Sequence, residues 1–172
     1  MKLDSDDFEL FGLARRFHLD RADLDERWRA LQGQTHPDKF AAEGAAAKRI
    51  ALQWAVRVNE AYQRLKDPLR RAAYLCELAG HPIAAETNTA MPAAFLVRQM
   101  ELRESLDEAR SPQDIAALAQ DIAAQRQAAA QRLQHLLDVA QDTASAAQEV
   151  RALMFLERFA ADIEHRLAAL EQ

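Results

Sequence analysis

Gln34-Thr35-His36-Pro37-Asp38-Lys39-Phe40 separates two helical patterns, and the fold turns on how this stretch is read. Proline lacks an N–H and disfavours helix in the residue before it, so a helix arriving from upstream ends near His36. Upstream, Asp20, Asp23, Asp25 and Glu26 cluster where a helix N-terminus favours carboxylates, and Leu24, Trp28 and Leu31 recur at helical spacing. Arg27 lies at the border of that stripe and Arg29 points away from it. Downstream, Phe40-Ala41-Ala42-Glu43-Gly44 reads as a loop. A longer helix then runs from about Ala45 to Lys66, with Ile50, Trp54, Val58, Ala61 or Tyr62, and Leu65 as its buried stripe. Two such helices joined at a polar bend form an antiparallel hairpin. An ordinary helix turn would use the same tripeptide, with Pro fixing the backbone and Asp accepting local N–H bonds.

Working outward, Phe8 to Leu13 reads as a short helix ending at Gly12, with Asp7 or Asp6 able to cap its start. Asp67-Pro68 restarts the chain as N-cap and first-turn proline, and the helix it opens stops at Gly80. Residues 81–92 hold two prolines and no sustained period, so they read as a linker. Beyond them three long helices are expected at about 93–109, 112–140 and 145–170, broken by Ser111-Pro112 and by Asp142-Thr143. Their stripes are Phe95, Leu102, Leu106; Ile115, Leu118, Ile122, Leu133, Leu136 or Leu137; and Val150, Leu153, Ile163, Leu167, Leu170. The expectation is an all-α protein with a first domain over 1–80, a linker over 81–92 and a three-helix bundle over 93–172.

Composition bounds the function. Nine Gly and Pro residues in 172 are too few for a sandwich or barrel. Cys76 is the only cysteine, which excludes an intramolecular disulfide and a cysteine-cluster metal site and suits a reducing compartment. The acidic start lacks a signal-peptide pattern and no apolar run reaches membrane-spanning length, so a cytoplasmic location with no membrane contact is expected. Residues 1–80 carry fourteen Lys and Arg against thirteen Asp and Glu, whereas residues 81–172 carry eight against fourteen. That asymmetry suits two modules with different partners, and it argues against nucleic acid as one of them.

Phe8 to Leu13, His36 to Phe40 and the run Asn59-Glu60-Ala61-Tyr62-Gln63-Arg64-Leu65-Lys66-Asp67-Pro68 through Leu75 resemble the J-domain of co-chaperones for DnaK-type ATPases. The three motifs stand in the right order and spacing over roughly residues 6–80. The resemblance implies that the tip and the basic face of the second helix dock on the ATPase and stimulate ATP hydrolysis. The docking residues would be His36, Pro37, Asp38, Lys39, Arg27 and Arg29, with Asp38 pairing to an arginine of the partner. Family members usually carry an aromatic residue before the histidine and more basic residues along that helix. Here Gly33, Gln34 and Thr35 stand instead, and this thinner basic face points to a dedicated partner.

In Phe95 to Glu108, a turn of 100° per residue puts Leu96, Val97 and Met100 opposite Phe95, Leu102 and Leu106, together with Glu101, Glu104 and Glu108. Such a helix has two apolar faces, the second serving either a neighbouring element or a partner. This segment, with Ala152 to Glu157, resembles the C-terminal domain of the HscB family of iron–sulfur cluster biogenesis. The resemblance implies binding of the scaffold IscU through Leu96, Val97, Met100, Glu101, Glu104, Glu108 and Phe155, and delivery to the ATPase HscA.

No cofactor and no metal are implied, since His18, His81, His135 and His165 have no carboxylate or cysteine at ligand spacing. Cys76, Trp28, Trp54, Tyr62 and Tyr74 read as core. A general client-presenting J-protein would carry a Gly/Phe-rich segment or a cysteine-rich zinc domain, and an enzyme would carry convergent catalytic groups. The sequence displays neither.

Overall fold

A computed structural model of the chain describes residues 2–84 and 91–170, among which every regular element is helical. The chain forms two compact units, Met1–Leu75 and Cys76–Gln172. Residues 85–90 of the expected linker lie outside the described residues.

The first unit contains α1 (Asp7–Leu10), α2 (Arg21–Thr35), a 3-10 segment (Pro37–Glu43), α3 (Ala45–Lys66) and most of α4 (Pro68–Leu78). Asp6 caps α1: its carboxylate accepts the Glu9 N–H, and the Glu9 carboxylate accepts the Asp6 N–H. Asp7 turns inward instead. It is 0% exposed, with Arg57 at 2.8 Å and Arg64 at 3.0 Å from its carboxylate, and its N–H donates to the Tyr74 hydroxyl at 3.0 Å. A buried carboxylate is stable only while its charge is paired. Replacing Asp7 by alanine leaves two partly hydrated arginines without it, at a cost of about 2–3 kcal/mol. A thermal melt followed by circular dichroism is expected to drop by roughly 10–20 °C, and an unchanged midpoint would contradict this role.

α2 and α3 run antiparallel. At the middle of α2, the Trp28 ring stacks on Tyr62 at 4.4 Å and its Nε1–H donates to Asn59 at 3.0 Å. The Tyr62 hydroxyl donates to Asp25 at 2.8 Å and accepts from Arg21 at 3.0 Å, and the Arg21 hydrogen bond holds the Asp25 carboxyl below its usual range. Leu24, Val58, Ala61, Tyr62 and Leu65 are buried, so the stripe of α3 takes both Ala61 and Tyr62. Trp28, Leu31 and Trp54 are only half-buried.

Two expectations fail near the bend. Residues 40–44 are not a loop, because the 3-10 segment extends from Pro37 to Glu43 and ends at Gly44. Ile50 is not core: it is 54% exposed, and Ala51 takes the buried place at that level. The physical reason is length, since α2 stops at Thr35 while α3 begins at Ala45 and runs to Lys66, so the longer helix has turns that α2 does not cover.

The second unit holds α5 (Ala93–Glu108), α6 (Pro112–Gln134) passing into a π-helical turn (His135–Val139), and α7 (Thr143–Leu170). Ser111 and Asp114 form a reciprocal cap at the start of α6. α6 and α7 pack antiparallel through Ile115, Ile122, Ala129 and Leu133 against Val150, Leu153, Phe159 and Ile163, all buried. Arg126 bonds both carboxylate oxygens of Glu157 at 2.7 and 2.8 Å, and Arg132 reaches Glu149 at 2.7 Å. Leu170, expected on the stripe, is 41% exposed at the last residue of α7.

The entry to this unit is tied to α7. Gly80, at φ 85°, lets the His81 N–H reach the Cys76 carbonyl at 2.8 Å and close the helix. His81 Nδ1 meets the Thr143 hydroxyl at 2.9 Å, and Arg151 donates to the Ile83 carbonyl at 2.9 Å. Cys76 is buried, with its thiol pushed up to about 11 by desolvation, which leaves it an unreactive packing residue.

Candidate functional site

The His36-Pro37-Asp38 tip is built by the missing N–H of Pro37. α2 ends at Thr35, whose hydroxyl donates to the Leu31 carbonyl at 2.9 Å, and His36 turns extended at φ −63°, ψ 126°. Its Nδ1 accepts the Asp38 N–H at 3.3 Å and so caps the 3-10 segment, while the Lys39 N–H bonds the His36 carbonyl at 3.1 Å. With Nδ1 accepting, the ring proton sits on Nε2 and is available to a partner. The Asp38 side chain is 87% exposed and that of His36 is 55% exposed, with ring and carboxylate 3.5 Å apart. Lys39 and Arg29 are exposed.

Arg27 is placed differently. Its Nε–H donates to Asp23 at 2.8 Å, and Nη1 donates to the carbonyls of Phe11 at 2.9 Å and Gly12 at 3.2 Å. Gly12, at φ 63°, passes so close that a Cβ there would lie 3.3 Å from Nη1. The guanidinium fastens the turn after α1 to α2. His36, Asp38 and Lys39 therefore form one exposed segment around a half-buried Pro37, with Arg29 on the outer face of α2 and Arg27 engaged internally.

On α5, Leu96, Val97 and Met100 are 46%, 54% and 63% exposed, while Leu102 on the other side is buried. Glu101, Glu104 and Glu108 are exposed along the same outer face, which spans roughly 18 Å at 1.5 Å per residue. Arg98, which the sequence reading passed over, pairs with Glu101 at 3.3 Å and Asp121 at 3.1 Å, bracing the rim. Its i, i+3 spacing to Glu101 was the available signal.

The match to known proteins covers the whole chain. It is 48% identical over 174 residues to the co-chaperone protein HscB homolog of Burkholderia multivorans, covering 99% of both. The chain belongs to the HscB co-chaperone family. The homolog from Bordetella pertussis is 47% identical over 92% of this chain and 94% of its own. A family profile described as the HSCB C-terminal oligomerisation domain matches residues 91–164. Among solved structures, chaperone HscB from Vibrio cholerae aligns at TM-score 0.82 with 35% identity, over 96% of this chain and 99% of that one. Human co-chaperone protein HscB aligns at 0.83 with 29% identity, over 99% and 84%. The all-α architecture of this HscB family member is thus an N-terminal J-domain with a C-terminal three-helix domain.

Phe155 does not join the outer face of α5. It is 4% exposed, edge-on to Phe95 at 5.8 Å, stacked on Phe159 at 5.7 Å and capped by the Arg103 guanidinium at 5.7 Å. The ring borders a cleft of about 260 Å³ beneath α5, together with Phe95, Leu102 and Leu156. Phe155→Ala is expected to destabilise the protein by about 3–5 kcal/mol, read as a lowered urea midpoint. A midpoint equal to wild type would place the ring outside the core.

Proposed function

We propose that this HscB family member is an adaptor with two docking surfaces. The tip of the J-domain engages the DnaK-type ATPase HscA and stimulates ATP hydrolysis. The outer face of α5 binds the iron–sulfur scaffold IscU and delivers it, promoting cluster assembly and transfer. In this reading residues 1–80 act on the ATPase, 81–92 connect, 93–172 select the cargo, and the chain itself performs no chemistry. Its setting is the cytoplasm, where a lone thiol persists.

The observation that carries the reading is exposure without a structural use. Asp38 is 87% exposed, and three large apolar residues of α5 stand in water on a helix whose opposite face is already packed. Exposed apolar surface rimmed by charge marks protein docking. Steady-state ATP hydrolysis by HscA, measured with the chain, with IscU and with both, tests it. The two together are expected to exceed the sum of their separate effects, and the chain is expected to tighten scaffold binding by at least roughly tenfold through effective concentration. Additive rates would overturn the adaptor.

A further inference from the structure

Between the last turn of α2, the 3-10 segment and the first three turns of α3 lies a groove of about 380 Å³ walled by Thr35, Phe40, Ala47, Ile50, Ala51 and Trp54. Ile50 stands 54% exposed in it, although Val58, Ala61, Tyr62 and Leu65 further along its stripe are buried. Thr35 directly precedes His36 and Phe40 follows Asp38 by two residues. With consecutive Cα atoms 3.8 Å apart, the groove wall lies within about 8 Å of both ends of the tripeptide.

The surroundings are basic on an acidic chain. Lys39 precedes Phe40, and Lys48 and Arg49 lie between Ala47 and Ile50; all three are exposed, and none has a carboxylate within 4.0 Å among the described residues. Glu43 lines the groove as their counterweight. An exposed tip alone offers charge pairing, which is individually weak and screened by salt. The groove adds apolar area next to it.

We propose that this groove is a socket in the ATPase-docking surface, receiving one apolar side chain of the ATPase that is flanked by a carboxylate. The proposal rests on the reading of the tip given above. The cations steer the carboxylate, and burial of the apolar side chain against Ile50 and Trp54 holds the complex.

The test titrates full-length variants into HscA and follows ATP hydrolysis. Ile50→Glu puts a like charge where the carboxylate-flanked group enters, and Ala47→Phe fills the groove without charge. Each is expected to raise the half-maximal concentration roughly tenfold while the rate at saturation is kept. Val56→Glu, at an exposed apolar position of α3 outside the groove, should titrate as wild type. Asp38→Asn should show no stimulation over the concentrations that saturate the wild type. Melting curves identify any variant that fails to fold, and Ala47→Phe carries the test if Ile50→Glu does. Groove variants that titrate as wild type beside an inactive Asp38→Asn would overturn the socket and leave the tip standing. Full stimulation by Asp38→Asn would overturn both. A dimer in sedimentation that Ile50→Glu dissolves, with an unchanged titration, would give the groove to a second copy and overturn the proposal.

Discussion

Asp38→Asn is expected to return ATP hydrolysis by HscA to its unstimulated rate while leaving the thermal melt of the chain unchanged. The two halves of this result have separate causes. Within the chain, what the backbone needs from this residue is its N–H, which His36 Nδ1 accepts, and asparagine keeps it. The carboxylate is 87% exposed, so losing its charge shifts stability by no more than about 0.5 kcal/mol. In the proposed complex the carboxylate pairs with an arginine of the ATPase that docking removes from water. Removing one partner of such a pair costs about 2–5 kcal/mol, or roughly 30- to 5,000-fold. His36→Gln is expected to act in the same direction, since it replaces the ring whose Nδ1 accepts the Asp38 N–H and holds the tip with a flexible side chain. Steady-state hydrolysis assays with melts on the same samples check both halves, and stimulation at the wild-type level would remove the tip from the interface.

The double variant Leu96→Ala/Met100→Ala is expected to weaken IscU binding by about 100-fold, near 3 kcal/mol for two large apolar truncations. Stimulation of HscA in the absence of scaffold should persist. Both side chains are exposed, at 46% and 63%, and alanine favours helix, so α5 has no reason to melt. Titration calorimetry reads the affinity directly. Phe155 is left out by design, because its ring belongs to the packing of α5 against α7 and its loss would mix folding with binding. Equal affinity in the double variant would take the outer face of α5 out of the scaffold interface.

The hairpin, its bend and the three later helices were legible because each rests on local signals. Pro37 stops α2, Asp67-Pro68 opens α4 and Ser111-Pro112 opens α6, all within a residue of their expected places. Exposure of Leu96, Val97 and Met100 was legible too, since helical phase alone sets them opposite Leu102. What escaped depends on partners far away in sequence. Asp6 and Asp7 are equivalent as caps, and only Arg57, Arg64 and Tyr74 decide which one turns inward. Ile50 fits its stripe perfectly well by period, but period says nothing about where the facing helix ends. Phe155 sits at a phase that a docking surface and a core share, and its two phenylalanine neighbours settle the matter.

Arg27 bears on how partner choice can change over descent. Its three acceptors sit on two separate segments, so this cation is held by the fold and cannot drift without loosening the turn after α1. Arg29, Lys39, Lys48 and Arg49 carry no such obligation. If these charges meet the ATPase as proposed, a lineage can rewrite them, gaining or losing them singly, while the domain that displays them keeps its shape. Selection for a new partner and selection for folding then act on different cations of the same domain.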